Sequence, residues 1–136
     1  MKKEHAEHNE EACDYLLQSE KFNDWVVTTA FYSALHYVHY EIFPMTFKGT
    51  LYENFNSYYD SCCHYIDSRP SKHQITIELV SIRLPNCNRF LRWLYDECMN
   101  ARYKNYKVTP QNAIMAKKHL TNIKAHLNKL TNTEIL

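Results

Sequence analysis

The stretch Thr109-Pro110-Gln111-Asn112-Ala113-Ile114-Met115-Ala116-Lys117-Lys118-His119-Leu120-Thr121-Asn122-Ile123-Lys124-Ala125-His126-Leu127-Asn128-Lys129-Leu130 decides the fold. Thr109 is a hydroxyl N-cap, and Pro110 stands at the first helical position, where its missing N–H costs nothing. Ala113, Ala116, Leu120, Ile123, Leu127 and Leu130 then step by three and four, the period of one helical face. Lys117, Lys118, Lys124 and Lys129 occupy the polar side. A long amphipathic helix of this kind needs other helices to cover its apolar stripe.

Working backwards, the chain supplies them. Trp25 to Phe43 reads as a second helix, capped by Asp24 and ended by Pro44, with Val27, Phe31, Ala34, Leu35, Val38 and Ile42 at helical spacing. It is apolar over much of its circumference, as a central helix is. A first helix runs from about Glu4 to Ser19, with Ala6, Cys13, Leu16 and Leu17 inward. Ser71 caps a third from Lys72, with Ile75, Leu79 and Ile82 inward, and Pro85 kinks it or starts a new segment. Asn86 to Tyr103 is helical again through Phe90, Leu91, Leu94, Cys98 and Ala101. The aromatic-rich segment Phe47 to Tyr59 lacks a period, and a short helix over Tyr52–Tyr65 is the reading there. The expected architecture is all-α: an up-and-down antiparallel bundle of four main helices plus a short extra helix, one domain over 1–136.

Composition agrees with this and narrows the function. With 136 residues, 45% hydrophobic, the chain is one domain's length and buries a core. A single glycine, Gly49, and four prolines are too few for a many-turned β-fold, and one glycine excludes every glycine-rich phosphate loop. Five cysteines without paired spacing, behind an N-terminus that is no signal peptide, read as reduced thiols. The longest uncharged run, Trp25 to Tyr40, is too short to span a bilayer. A cytoplasmic protein with no membrane contact is the expectation. The net charge of +1 hides a segregation: residues 1–60 sum to −6 and residues 61–136 to +7. That pattern marks a basic face for an anionic partner or two ends that attract one another.

Three groups of residues could carry chemistry. His5 and His8, and His36 and His39, are pairs three apart on two helices, but no HExxH, ExxH or CxxC accompanies them; Cys62, Cys63 and His64 are adjacent and point apart. No metal and no cofactor is expected. Tyr32 and His36, four apart in Ala30-Phe31-Tyr32-Ser33-Ala34-Leu35-His36, share a face and aim at one spot, either as satisfied core groups or as a polar site in a groove. Asn100-Ala101-Arg102-Tyr103-Lys104-Asn105-Tyr106-Lys107 interleaves cations with aromatic faces, which suits single-stranded RNA or a nucleotide phosphate. The same cations also suit a helix C-terminus.

In order and pattern the chain resembles the HEPN family of small helical domains. The residues that carry the resemblance are His8-Asn9, Asp24-Trp25-Val26-Val27-Thr28, the Ala30–His36 stretch, His73 at the start of the third helix, Ala101-Arg102-Tyr103, and the closing amphipathic helix. The resemblance implies a helical bundle that forms a homodimer. Many members are metal-independent endoribonucleases bearing Arg, four to six residues, then His, and some pair with a small nucleotidyltransferase as toxin and antitoxin. Arg102 matches the arginine, but Lys107, Val108 and Thr109 stand where the histidine would be. A group titrating near neutrality is what acid–base catalysis needs, and lysine does not supply it. The leading expectation is therefore a HEPN-type binding module for a nucleotide, an RNA or a protein partner, with Tyr32, His36, Arg102, Tyr103, Asn105 and Tyr106 lining a polar groove. The alternatives are an endoribonuclease using Arg102 with His36 or His73 as the imidazole, and a structural toxin–antitoxin interaction protein.

Overall fold

A computed structural model describes the backbone of residues 2–63, 70–105 and 107–135, and the side chains of these except at 2, 63 and 131–135. Its elements are α1 (Lys2–Ser19), α2 (Asn23–Ile42), β1 (Met45–Phe47), β2 (Thr50–Tyr52), α3 (Phe55–Cys63), α4 (Lys72–Arg83), a 3-10 turn (Pro85–Cys87), α5 (Asn88–Met99), a π-helical turn (Asn100–Lys104) and α6 (Pro110–Ile135). The protein is an all-α bundle. Its four long runs are α1, α2, the α4–α5 pair broken at Pro85, and α6, with α3 as the short extra helix.

Central α2 packs against α1, α5 and α6. Its inward residues Val27, Phe31, Ala34, Leu35, Val38 and Ile42 are all buried. Phe31, Leu91, Leu94, Leu120 and Ile123 are the largest fully enclosed side chains. α1 runs antiparallel to α2: His5 meets His36, Ala6 meets Ser33 and Cys13 meets Val26. Buried Ser33 is satisfied by donating its hydroxyl to the Ala6 carbonyl at 2.7 Å, as a polar group inside a helix pair requires. Cys13, Cys87 and Cys98 are buried free thiols, and burial pushes Cys13 and Cys87 up to about 11. Among the described residues no helix is long and apolar enough to cross a membrane.

Several local expectations change. Asp24 does not cap α2: the helix starts one residue earlier, at Asn23, Phe22 is the N-cap without a side-chain bond, and Asp24 sits in the first turn. The carboxylate remains favourable there through the helix dipole. The aperiodic segment after Pro44 is a β-hairpin, with Met45 opposite Tyr52 and Phe47 opposite Thr50 around a two-residue loop. Lys48 and Gly49 both have positive φ, 50° and 79°, the pairing a type I′ turn demands. Ile82, expected inward, is 67% exposed, and so in part is Leu130. The caps at Ser71 and Thr109 form as expected: Ser71 makes a reciprocal capping box with Gln74, and Thr109 accepts from the Asn112 N–H at 3.1 Å.

The charge segregation has a physical counterpart. Glu10 of α1 accepts from Lys117 at 2.9 Å and Lys124 at 2.8 Å of α6, and from the Tyr37 hydroxyl at 2.8 Å. Lys117 also pairs with Asp14 at 2.8 Å. Burial alone would raise the Glu10 carboxyl, but these donors outweigh it and hold the group at about 2.

Candidate functional site

The end of α5 builds the site. At Asn100 the helix widens: the Asn105 N–H reaches back to the Asn100 carbonyl at 3.1 Å, five residues away, and the two asparagine side chains bond at 3.1 Å. Such π turns insert a residue and re-aim the side chains around it. Here Ala101 goes inward, and Arg102 and Tyr103 face solvent.

Arg102 is positioned rather than loose. Its guanidinium donates to the Tyr32 hydroxyl at 3.1 Å and lies over the Tyr103 ring, 5.4 Å from the centroid. Among the described residues no carboxylate pairs with it. It helps line a cavity of about 230 Å³ with Asp24, Trp25, Thr28 and Ala101. Trp25 is 53% exposed there and Tyr103 63%, so two broad aromatic faces flank one cation. Thr28 is tied beneath, donating to the Asp24 carbonyl at 2.9 Å.

Tyr32 and His36 diverge. The Tyr32 ring lies edge-on to His73, 5.7 Å between centroids, while His36 stacks on His5 at 5.5 Å. His73, in the first turn of α4, touches Tyr32 and lines one cavity with His36. Phe31 and Tyr95 also contact its ring, at 5.2 and 6.1 Å. Its Nδ1 is buried without a hydrogen-bond partner. Burial, and secondarily the Arg102 charge, hold His73 below the usual imidazole range.

Of the residues expected to line one groove, Arg102, Tyr32 and Tyr103 come together. Asn105 is spent on closing the π turn, and His36 belongs to a neighbouring cavity shared with His73. Tyr106, like His64, lies outside the described residues. His39 turns inward to Thr76, Nε2 to Oγ1 2.8 Å, and stacks on Phe55 at 4.4 Å. Among the described residues no three histidines, cysteines or carboxylates are placed to share a metal ion. The aromatic segment forms a cluster of its own: Tyr58 meets Phe47 at 5.9 Å and Tyr52 at 5.4 Å, and Tyr59 donates to the Pro70 carbonyl at 2.7 Å.

Trp25 carried no expected role at this site. Its signal is an indole in the first turn of a helix whose next residues, Val26 and Val27, are the ones that turn inward. For His73 the signal is its spacing of three and seven from Thr76 and Val80, which places it on the buried side of α4.

Compared with models of known protein families, with curated proteins and with solved structures, the chain has no match.

Proposed function

We propose that the protein is a HEPN-type helical domain that binds single-stranded RNA, or the phosphate of a nucleotide, at Arg102. The observation that carries this reading is an exposed guanidinium fixed by the Tyr32 hydroxyl and flanked by the exposed rings of Tyr103 and Trp25. A cation of this kind meets a phosphate oxygen with two N–H groups, and the rings offer stacking faces to the adjoining bases. The test is fluorescence anisotropy with a labelled single-stranded RNA at low salt. Wild-type protein binds with an affinity that falls steeply with salt, and Arg102→Ala loses about tenfold or more. RNA affinity equal in the two proteins removes the reading.

A second reading, a metal-independent endoribonuclease, is favoured by one contact: His73 sits against the same Tyr32 that holds Arg102. A partly buried imidazole below its usual range is neutral at pH 7, as a general base must be, and Arg102 would stabilise charge on the phosphate. RNA cleavage that persists in EDTA and is lost in both Arg102→Ala and His73→Ala distinguishes it from binding alone. The homodimer, the nucleotidyltransferase partner and the cytoplasmic location that accompany the HEPN resemblance belong to this proposal; light scattering of the purified chain tests the first.

A further inference from the structure

Beside the Arg102 site lies a second cavity, of about 360 Å³, whose walls come from α1, α2, α4 and the start of α3. Among the described residues four histidines line it: His5, His36, His39 and His73. Lys72, Asn54, Asn56 and Thr76 complete the polar wall, and among the described residues none that lines the cavity is acidic. Four imidazoles from three helices in one cavity would ordinarily suggest a metal. The geometry opposes that: His5 and His36 stack, their planes 30° apart, and His39 is turned to Thr76. What the walls do offer is N–H donors and positive charge. The Lys72 ammonium is aimed by Asn56 Oδ1 at 3.3 Å and lies 5.8 Å from the Tyr59 ring centroid.

We propose that this cavity binds a tetrahedral oxyanion of the phosphate type, free or as a phosphomonoester, held by Lys72, His36 and His73. The proposal does not rest on RNA binding at Arg102. Among the described residues the charged groups around the cavity are His5 on α1 with Glu4 beside it, His36 and His39 on α2, Lys72 and His73 on α4, and Arg102 acting on His73 from the other side. On α3 and the segment leading into it the facing polar groups are the neutral Asn54 and Asn56. Protonating His73 adds positive charge next to the ligand, and a bound anion offsets the burial and the Arg102 charge that oppose it, so affinity rises as the pH falls.

Sulfate is the probe of choice, because it stays a dianion over the whole range and any pH dependence then belongs to the protein. Titration calorimetry on the full chain is expected to give sulfate binding about tenfold or more tighter near pH 5.5 than near pH 8. The side-chain NMR signals of His36 and His73 shift on binding. Asn56→Asp places a carboxylate beside Lys72 at an exposed position; it weakens sulfate binding by about tenfold and leaves the melting temperature unchanged. Arg102→Ala keeps sulfate binding, slightly tightened because the charge that opposes protonation of His73 is gone, which separates this site from the proposed RNA site. Comparing inorganic phosphate with glycerol phosphate then assigns the source: tighter binding of the ester points to a phosphomonoester, equal or weaker binding to the free ion. Sulfate affinity that is absent or independent of pH, unaffected by Asn56→Asp, or abolished by Arg102→Ala overturns the proposal.

Discussion

At Arg102 a single hydroxyl decides where a cation points. The long guanidinium side chain has many rotamers, and binding must freeze one of them; the 3.1 Å bond from Arg102 to Tyr32 has already done so in the free protein. Tyr32→Phe removes that bond and keeps the ring that packs against Phe31 and His73. One hydrogen bond at an exposed site is worth about 1 kcal/mol, so the variant loses roughly fivefold in RNA affinity at low salt. Its thermal midpoint falls by no more than about 3 °C, because this one bond of about 1 kcal/mol is all that the fold loses. A full Arg102→Ala-sized loss in Tyr32→Phe would instead mean that the hydroxyl itself touches the ligand.

Among the elements, those built by periodicity are legible in the sequence and those built by backbone chemistry are not. α6 is readable because Ala113, Ala116, Leu120, Ile123 and Leu127 obey a helical period and all five are buried; Leu120→Ala, in that stripe, costs about 3 kcal/mol in urea unfolding. The β-hairpin is hidden because Lys48-Gly49 is a weaker turn signal than Asn-Gly, and its strands are only three residues long. Gly49 has φ +79° and no heavy atom within 4 Å of where a Cβ would stand, so a side chain there meets no clash and only backbone strain. Gly49→Ala therefore destabilises by about 1 kcal/mol, and Gly49→Asn by much less. The π turn is equally hidden: nothing in Asn100-Ala101-Arg102-Tyr103-Lys104 distinguishes it from a continuing helix. That is why Arg102 stands out in the sequence as a site residue while the full set of its partners does not. His36, one helical turn from Tyr32, shares its face by spacing, yet the neighbour that reaches Tyr32 is His73 from α4, a tertiary contact no spacing encodes.

Over the whole molecule, the opposite charges of the two halves meet where α1 crosses α6. Glu10 is 15% exposed and accepts from two lysines and a tyrosine, so its charged form is bound far more strongly in the folded chain than in the unfolded one. Its folded pKa, about 2, lies below the ordinary 4.5. A carboxylate shifted down stabilises the fold fully above its unfolded pKa and loses that contribution as the pH drops from about 4.5 towards 2. The shift alone corresponds to about 3 kcal/mol, and partial solvent screening of Lys117 and Lys124 reduces it to about 2. Glu10→Gln keeps the shape and removes the charge. At pH 7 it is expected to unfold about 2 kcal/mol more easily in urea, with Lys117 retaining Asp14 as a partner. The decisive comparison is the acid limb. Wild-type stability falls towards that of Glu10→Gln as the pH approaches 2, so the two curves converge there, part between about 2 and 4.5, and keep their full separation above it. Parallel curves across the same range would mean that the α1–α6 cluster is a surface ornament and that the apolar contacts of α2 alone hold the first helix in place.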